Sequence, residues 1–274
     1  MEFIYHYTSL ETLFSILTNM NRKRAEKFEK GKSFYSGKII NKLILRATNI
    51  NFLNDYSEGN LLPTALQKLK INPTHIQLAW EKIGVPHILS FSKASDSLTM
   101  WRGYAKDGNG VMLEFDKEKL LNSLSTNNYS RMFLENFDCE YTNIKSLVEE
   151  IKINYSLRSY HNTKYLNQTD ITELKRLLQT SAKYKDEAFA DEKEYRVVIG
   201  QMTVDEKYYL KNNLIIPYIE VPLLANCLTS IKLGPCVNYK KLIPILQQLL
   251  NNTHVDEFKT IVITTSNIPY INKQ

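Results

Sequence analysis

The stretch from Pro86 to Phe115 limits the fold of this 274-residue chain more tightly than any other. His87-Ile88-Leu89-Ser90-Phe91-Ser92 suits a strand, and Ser95 or Asp96 can cap a helical turn. Asp107-Gly108-Asn109-Gly110 then makes a hairpin turn into a second strand, Val111 to Phe115. Two neighbouring strands with a turn and helix between them are expected. The glycines precede a strand and form no Gly-x-Gly-x-x-Gly run, which excludes a Rossmann or P-loop phosphate cradle.

Around this block strands and helices alternate. Phe3-Ile4-Tyr5 reads as a strand, and Thr8 with Glu11 three places on reads as a capping box. Leu10, Leu13, Phe14 and Leu17 then form the apolar stripe of a first helix. Residues 19 to 42 show no sustained period and read as a mobile excursion before a strand from Leu43 to Thr48. Asn54-Asp55 suits a turn, with the alternative of binding a hydroxyl. Short helices from Leu61 to Leu69 and from His75 to Ile83 follow, and residues 145 to 190 carry a helical insertion. Tyr195 to Ile199, Tyr218 to Val221, Ser230 to Leu233 and Thr260 to Thr264 are strand-like, and Leu242, Ile245, Leu246 and Leu249 stripe a late helix. The expectation is one α+β domain over residues 1–274, without internal repeats.

The apolar share of 43% is ordinary for a chain with a sizeable core. Basic residues exceed acidic ones by 35 to 29, a net +6 that mildly favours anionic partners. The cluster Arg22-Lys23-Arg24 with Lys27, Lys30 and Lys32 reads as a solvated helix face or loop, with nucleic-acid contact as the alternative. MEFIYHYTS is no secretory signal, and Pro217, Glu220 and Pro222 break the most apolar later stretch. A cytoplasmic protein without a membrane anchor is expected. Cys139, Cys227 and Cys236 are too few and too scattered for a disulfide framework, and the five histidines lack zinc-site spacing, so no metal is expected.

The blocks HYTSLETLFSIL, NFLND, ILSFSKASDSLTMWRGYAKDGNGVMLEFD, FADEKEYRVVI and SIKLGP together resemble, across nearly the whole chain, the bacterial family called domain of unknown function 2971. More distantly, the order of a first-strand His6, a Ser90-Phe91-Ser92 strand and a late Glu192-Lys193-Glu194 is similar to the pattern of ADP-ribosyltransferases. The first block is similar to that of DarT-type toxins that modify DNA. That resemblance implies an ADP-ribosyltransferase-like mixed or antiparallel β core with peripheral helices. It also implies NAD as substrate, a nucleic-acid or protein acceptor, and a toxin or phage-defence role with an antitoxin or trigger partner.

The chemistry fits that order. Breaking the nicotinamide–ribose bond builds positive charge on the sugar, which a carboxylate stabilises. Residues 192, 194 and 196 of an extended segment share a face, so Glu194 is the expected catalytic carboxylate, Glu192 its substitute, and Arg196 a cofactor-binding residue lining the same surface. The competing reading is an ion pair between Glu194 and Arg196. His6 would orient ribose or else be a core histidine, and Tyr7 or Tyr5 offers a ring to nicotinamide. Ser90 would order the late Glu, with Ser92 on the same face. Trp101, Arg102 and Tyr104 would hold adenine and phosphates, although Trp101 with Met100 also suits a core. The alternatives are a non-catalytic nucleotide or nucleic-acid sensor and an RNA-processing enzyme on the same scaffold.

Overall fold

The structure, a computed structural model, describes residues 1–19, 21–29, 32–53, 59–126, 134–154, 168–200, 206–211 and 213–271. In chain order the first elements are β1 (Phe3–Thr8), α1 (Leu10–Thr18), β2 (Asn21–Glu29), β3 (Lys32–Asn49), α2 (Leu61–Lys68), α3 (Pro73–Ile83), β4 (His87–Ser92), α4 (Leu98–Tyr104), β5 (Val111–Asp116) and α5 (Lys117–Thr126). There follow β6 (Leu134–Asp138), β7 (Glu140–Thr142), α6 (Ile144–Asn154), α7 (Gln168–Gln179), β8 (Tyr184–Asp186), β9 (Glu194–Ile199), β10 (Lys207–Lys211), β11 (Leu214–Leu224), β12 (Leu228–Leu233), α8 (Tyr239–Asn252) and β13 (Val262–Thr265). The architecture is α+β with mainly antiparallel strand pairing. The chain packs as two compact units. The first is Met1–Leu45, Phe91–Ser130 and Glu220–Gln274; the second is Arg46–Ser90 and Arg131–Ile219.

In the first unit β1 runs antiparallel to β5, with Tyr5 opposite Glu114 and Tyr7 opposite Met112. On its other side Tyr5 pairs with Ser92 at the end of β4. β1 therefore lies between β4 and β5, which are not neighbours as their nearness in sequence suggested. The Asp107–Gly110 turn accordingly joins α4 to β5 and closes no hairpin. β12 extends the sheet antiparallel to β5, and β13 lies parallel to β12. Alternation sorts the faces. Ile4, Leu113, Phe115 and Ile231 fall on one face and are fully buried, each contributing roughly 1.5–3 kcal/mol of transfer free energy.

Helix α1 starts one residue later than the capping box implied. Ser9, not Thr8, is the cap and accepts from the Thr12 N–H at 3.2 Å. Its buried residues are Leu13, Ile16 and Leu17, while Phe14 is exposed. In α8, likewise, Leu246 and Leu250 are buried and Ile245 is exposed. The expected excursion over residues 19–42 is instead an antiparallel ladder of β2 and β3, running from Asn21 opposite Lys42 to Glu29 opposite Lys32. Main-chain hydrogen bonds make such a ladder without any apolar period. Most of the basic cluster thus sits in β2 rather than on a helix face; Lys30 and the Asn54-Asp55 turn lie outside the described residues.

In the second unit β9 pairs with β4 and, antiparallel, with β6. β10 and β11 form a hairpin. The expected insertion is part of a larger helical lobe, in which α6 and α7 share one core with α2 and α3. Leu62, Leu66, Leu147, Ile151, Leu174 and Leu178 are all fully buried there.

Two close backbone approaches position the loop behind α4. Gly110 N–H donates to Ala105 O at 2.8 Å, and Gly234 N–H donates to Gly110 O at 2.9 Å. A Cβ on Gly234 would lie 2.2 Å from Gly108 O, which is backbone and cannot rotate away. Gly234→Ala is expected to cost about 1–3 kcal/mol through forced backbone displacement, measured as a lowered urea midpoint.

Candidate functional site

The face of the first unit opposite its apolar core is polar and aromatic. Cross-strand pairing puts Tyr5, Glu114 and Ser230 in one row and Tyr7, Met112 and Lys232 in the next. Helix α4 and the loop before it cover the second row. Trp101 is fully buried, its ring edge-on to Tyr7 at 4.9 Å between centroids. Tyr5, Tyr104 and Ile268 pack as the partly exposed margin of this cluster.

A network of Asp96 fixes the loop. Asp96 Oδ1 accepts from Trp101 Nε1 at 2.7 Å and from Ser266 Oγ at 2.5 Å, and Oδ2 accepts from Asn267 N–H at 3.0 Å. Lys232 Nζ stands 3.7 Å from Oδ2. Burial pushes the Asp96 carboxyl up, but these hydrogen bonds and the Lys232 charge outweigh it and hold the group below its ordinary value. Asp96 has φ 63°, and Lys106 and Asp107 have φ 50° and 51°. Three such non-glycine residues around one short helix are the kind of stored strain that collects at binding loops. Tyr7 Oη donates to Ala94 O at 2.8 Å and accepts from Ser97 N–H at 3.0 Å. Burial raises its pKa to about 12, so it remains a neutral phenol.

Two groups of this face reach solvent with chemistry to offer. The Arg102 side chain is 64% exposed, and its Nε stands 3.6 Å from Asp107 Oδ1. Glu114 is half-buried beside Tyr5, and its Oε1 accepts from Thr229 Oγ1 at 2.7 Å. An irregularity in β12 between Leu228 and Ser230 turns Thr229 toward Glu114, as bulges commonly re-aim a side chain. Burial and then the Glu114 charge raise the Tyr5 pKa, against a hydrogen bond with Ser95.

The late glutamates belong to the second unit and are sealed. Glu192 ends a 3-10 turn rather than lying in the strand, and Lys193 follows in the left-handed region at φ 45°. That kink still brings both carboxylates to one cation: Lys185 Nζ donates to Glu192 Oε2 at 2.6 Å and to Glu194 Oε2 at 2.8 Å. Arg196 grips Glu194 with two further bonds, Nε to Oε1 at 2.8 Å and Nη2 to Oε2 at 2.9 Å. Arg196 Nη1 also donates to Ala182 O at 2.8 Å. Glu194 is 5% exposed, Lys185 2% and Arg196 0%. Burial alone would raise the Glu194 pKa, but Arg196 and then Lys185 overcome it and hold the group at about 2. The expected common face of Glu194 and Arg196 is present, as the ion pair that was the competing reading.

The predicted residues therefore fall into two groups. Tyr7, Ser92, Trp101, Arg102 and Tyr104 lie in the first unit with His6; Ser90, Glu192, Glu194 and Arg196 lie in the second. His6 and Tyr7 point to opposite faces of β1, because neighbouring strand residues must. His6 is opposite Leu113 and edge-on to Phe91 at 5.9 Å, on the core face. Trp101 is enclosed, so the planes open to a ligand are those of Tyr104 and Tyr5. Ser92 Oγ is taken by the Ala94 N–H at 3.0 Å. Glu194 bonds Arg196 and Lys185. Glu114, Lys232 and Lys185 were not singled out from sequence, and Asp96 was read there only as a possible helix cap. Among the described residues there is no group of three or more His, Cys, Asp or Glu suited to a metal, and no helix long and apolar enough to cross a membrane.

Residues 100–197 match the model of a family described as "Protein of unknown function (DUF2971)". The matched segment runs from α4 through the Lys185–Arg196 cluster. No curated protein and no solved structure matches the chain.

Proposed function

We propose that this chain binds NAD on the polar face of the first unit and breaks its nicotinamide–ribose bond, as an ADP-ribosyltransferase or NAD-consuming enzyme. The observation that carries this reading is Arg102, exposed on the same short helix as Tyr104 and set at the edge of a fixed aromatic floor. A guanidinium suits the pyrophosphate, and partly exposed tyrosine rings suit the bases.

The carboxylate suited to the reaction is Glu114. It is half-buried, oriented by Thr229, and shares its face with Tyr5. As the glycosidic electron pair leaves with nicotinamide, Glu114 would face the positive charge growing on the ribose. An acceptor then bonds to that carbon and gives up its proton. Glu194, with both oxygens held by cations inside the second unit, would serve structure. A specific observation also favours binding without turnover, as in a sensor: the exposed Arg102 and the two rings need no catalytic group.

Titration calorimetry tests the binding step. NAD is expected to bind the wild type, and Arg102→Ala and Tyr104→Ala are each expected to weaken it about tenfold, the loss of one charged or stacking contact. Equal binding by both variants would remove the site from this face.

A further inference from the structure

The segment after β13 ties down both ends of the loop and helix that cover the polar face of the first unit. At one end Ser266 and Asn267 hold Asp96. At the other, Tyr270 Oη donates to Asp107 Oδ1 at 2.8 Å. Between these ties Ile268 packs against the Trp101 cluster, and Tyr270 N–H donates to Ile268 O at 2.8 Å. The Tyr270 carbonyl is anchored in turn, accepting from Cys236 Sγ at 3.6 Å. Asp107 is fixed from its own side. Its backbone is left-handed at φ 51°, and the next residue is held twice, Gly108 N–H donating to Trp101 O and Gly108 O accepting from Cys236 N–H, both at 3.0 Å.

One carboxylate oxygen therefore faces two donors. Asp107 Oδ1 accepts from Tyr270, while Arg102 Nε stands 3.6 Å from the same oxygen, beyond hydrogen-bond length. The bond to Asp107 raises the Tyr270 pKa, so the phenol keeps its proton and remains a donor. We infer that Asp107 competes with an anionic ligand for the Arg102 guanidinium, and that Tyr270, by occupying the shared oxygen, is the positioning residue that leaves Arg102 open to a phosphate or pyrophosphate group. This rests on the reading of Arg102 as the phosphate contact. Without the Tyr270 hydroxyl, the carboxylate would keep its full charge for Arg102 and close on it as a charge-assisted hydrogen bond, which an anion must break in order to bind. Without the Asp107 charge, the guanidinium would be unopposed. The two losses act in opposite directions, and the effect of Tyr270 exists only while Asp107 carries its charge. A strap that merely stiffened the loop would give no gain with Asp107→Asn, whose amide oxygen still accepts from Tyr270.

The test is titration calorimetry of the full chain with inorganic pyrophosphate, run as a double-variant cycle. Asp107→Asn is expected to bind about threefold more tightly than wild type and Tyr270→Phe about threefold more weakly, the size that an exposed ion pair carries. Tyr270→Phe added to Asp107→Asn should bind like Asp107→Asn alone, because the coupling between the two residues is the whole effect. The Arg102 Nε–H, followed by heteronuclear NMR and assigned by its loss in Arg102→Lys, should exchange with water more slowly in Tyr270→Phe than in wild type. Pyrophosphate affinities in this order without any binding of NAD would remove the nucleotide reading and leave the inference standing. No pyrophosphate binding by Asp107→Asn, equal affinity in all four proteins, or a Tyr270→Phe loss that persists in the Asp107→Asn background would each overturn it.

Discussion

Lys185→Met is expected to destabilise the protein by about 3–5 kcal/mol, the usual cost of removing one partner from a buried charge network. The size follows from what Lys185 holds. Its ammonium sits 2.6 Å and 2.8 Å from two carboxylates that are themselves buried. Arg196 can offset only one of the two negative charges left behind. The thermal midpoint should fall by roughly 10 °C. Adding Glu192→Gln to Lys185→Met should recover a good part of the loss, because one Arg196 then faces one Glu194. A single variant within about 1 kcal/mol of wild type would show that the cluster is not a structural hub.

The same cluster sets an acid response. The folded-state pKa of Glu194 lies at about 2, below its ordinary value of 4.5. Its contribution to stability is therefore complete above about pH 4.5 and is lost as pH falls toward 2. Removing Lys185 takes away one cause of that depression, so in the variant the contribution should be smaller and its loss should be complete at a higher pH.

Much of the scaffold is legible in sequence because it depends on local pattern. The strands at residues 87–92 and 194–199 and the helices at 61–68 and 73–83 stand where alternation and apolar spacing place them. The β2–β3 ladder is not legible, since its polar side chains carry no period and its stability comes from main-chain pairing. The candidate site hides for a related reason. Glu114 is an ordinary charged residue of a strand until β1 pairs beside β5 and sets Tyr5 opposite it. Nothing in VMLEFD announces that row. Lys185 is equally silent, because its burial is made possible by two glutamates that the left-handed Lys193 folds back onto it. The reading of Glu194 and Arg196 on one face was available from period 2, but whether that face opens to ligand or closes on Lys185 depends on β8, which lies outside the segment. His6 and Tyr7 show the converse limit. Adjacent in a strand, they cannot serve one ligand from the same sheet face.

Glu114→Gln is expected to lower NAD turnover by about 10²–10³-fold, the loss seen when one preorganised electrostatic contact to a transition state is removed. The amide keeps the shape and can still meet Thr229, so folding and NAD affinity should change little while the charge facing the sugar is gone. Glu194→Gln separates this account from its alternative. Its amide loses the negative charge shared by Arg196 and Lys185, so it should lower stability, but the fraction that folds should turn over NAD near the wild-type rate.

The decisive measurement is nicotinamide release from NAD by wild type, Glu114→Gln and Glu194→Gln, each corrected for its folded fraction and assayed with and without nucleic acid and protein extract. Release is expected from the wild type and from folded Glu194→Gln, with loss in Glu114→Gln. Release abolished in folded Glu194→Gln but kept in Glu114→Gln, or no release by the wild type under any condition, would contradict it.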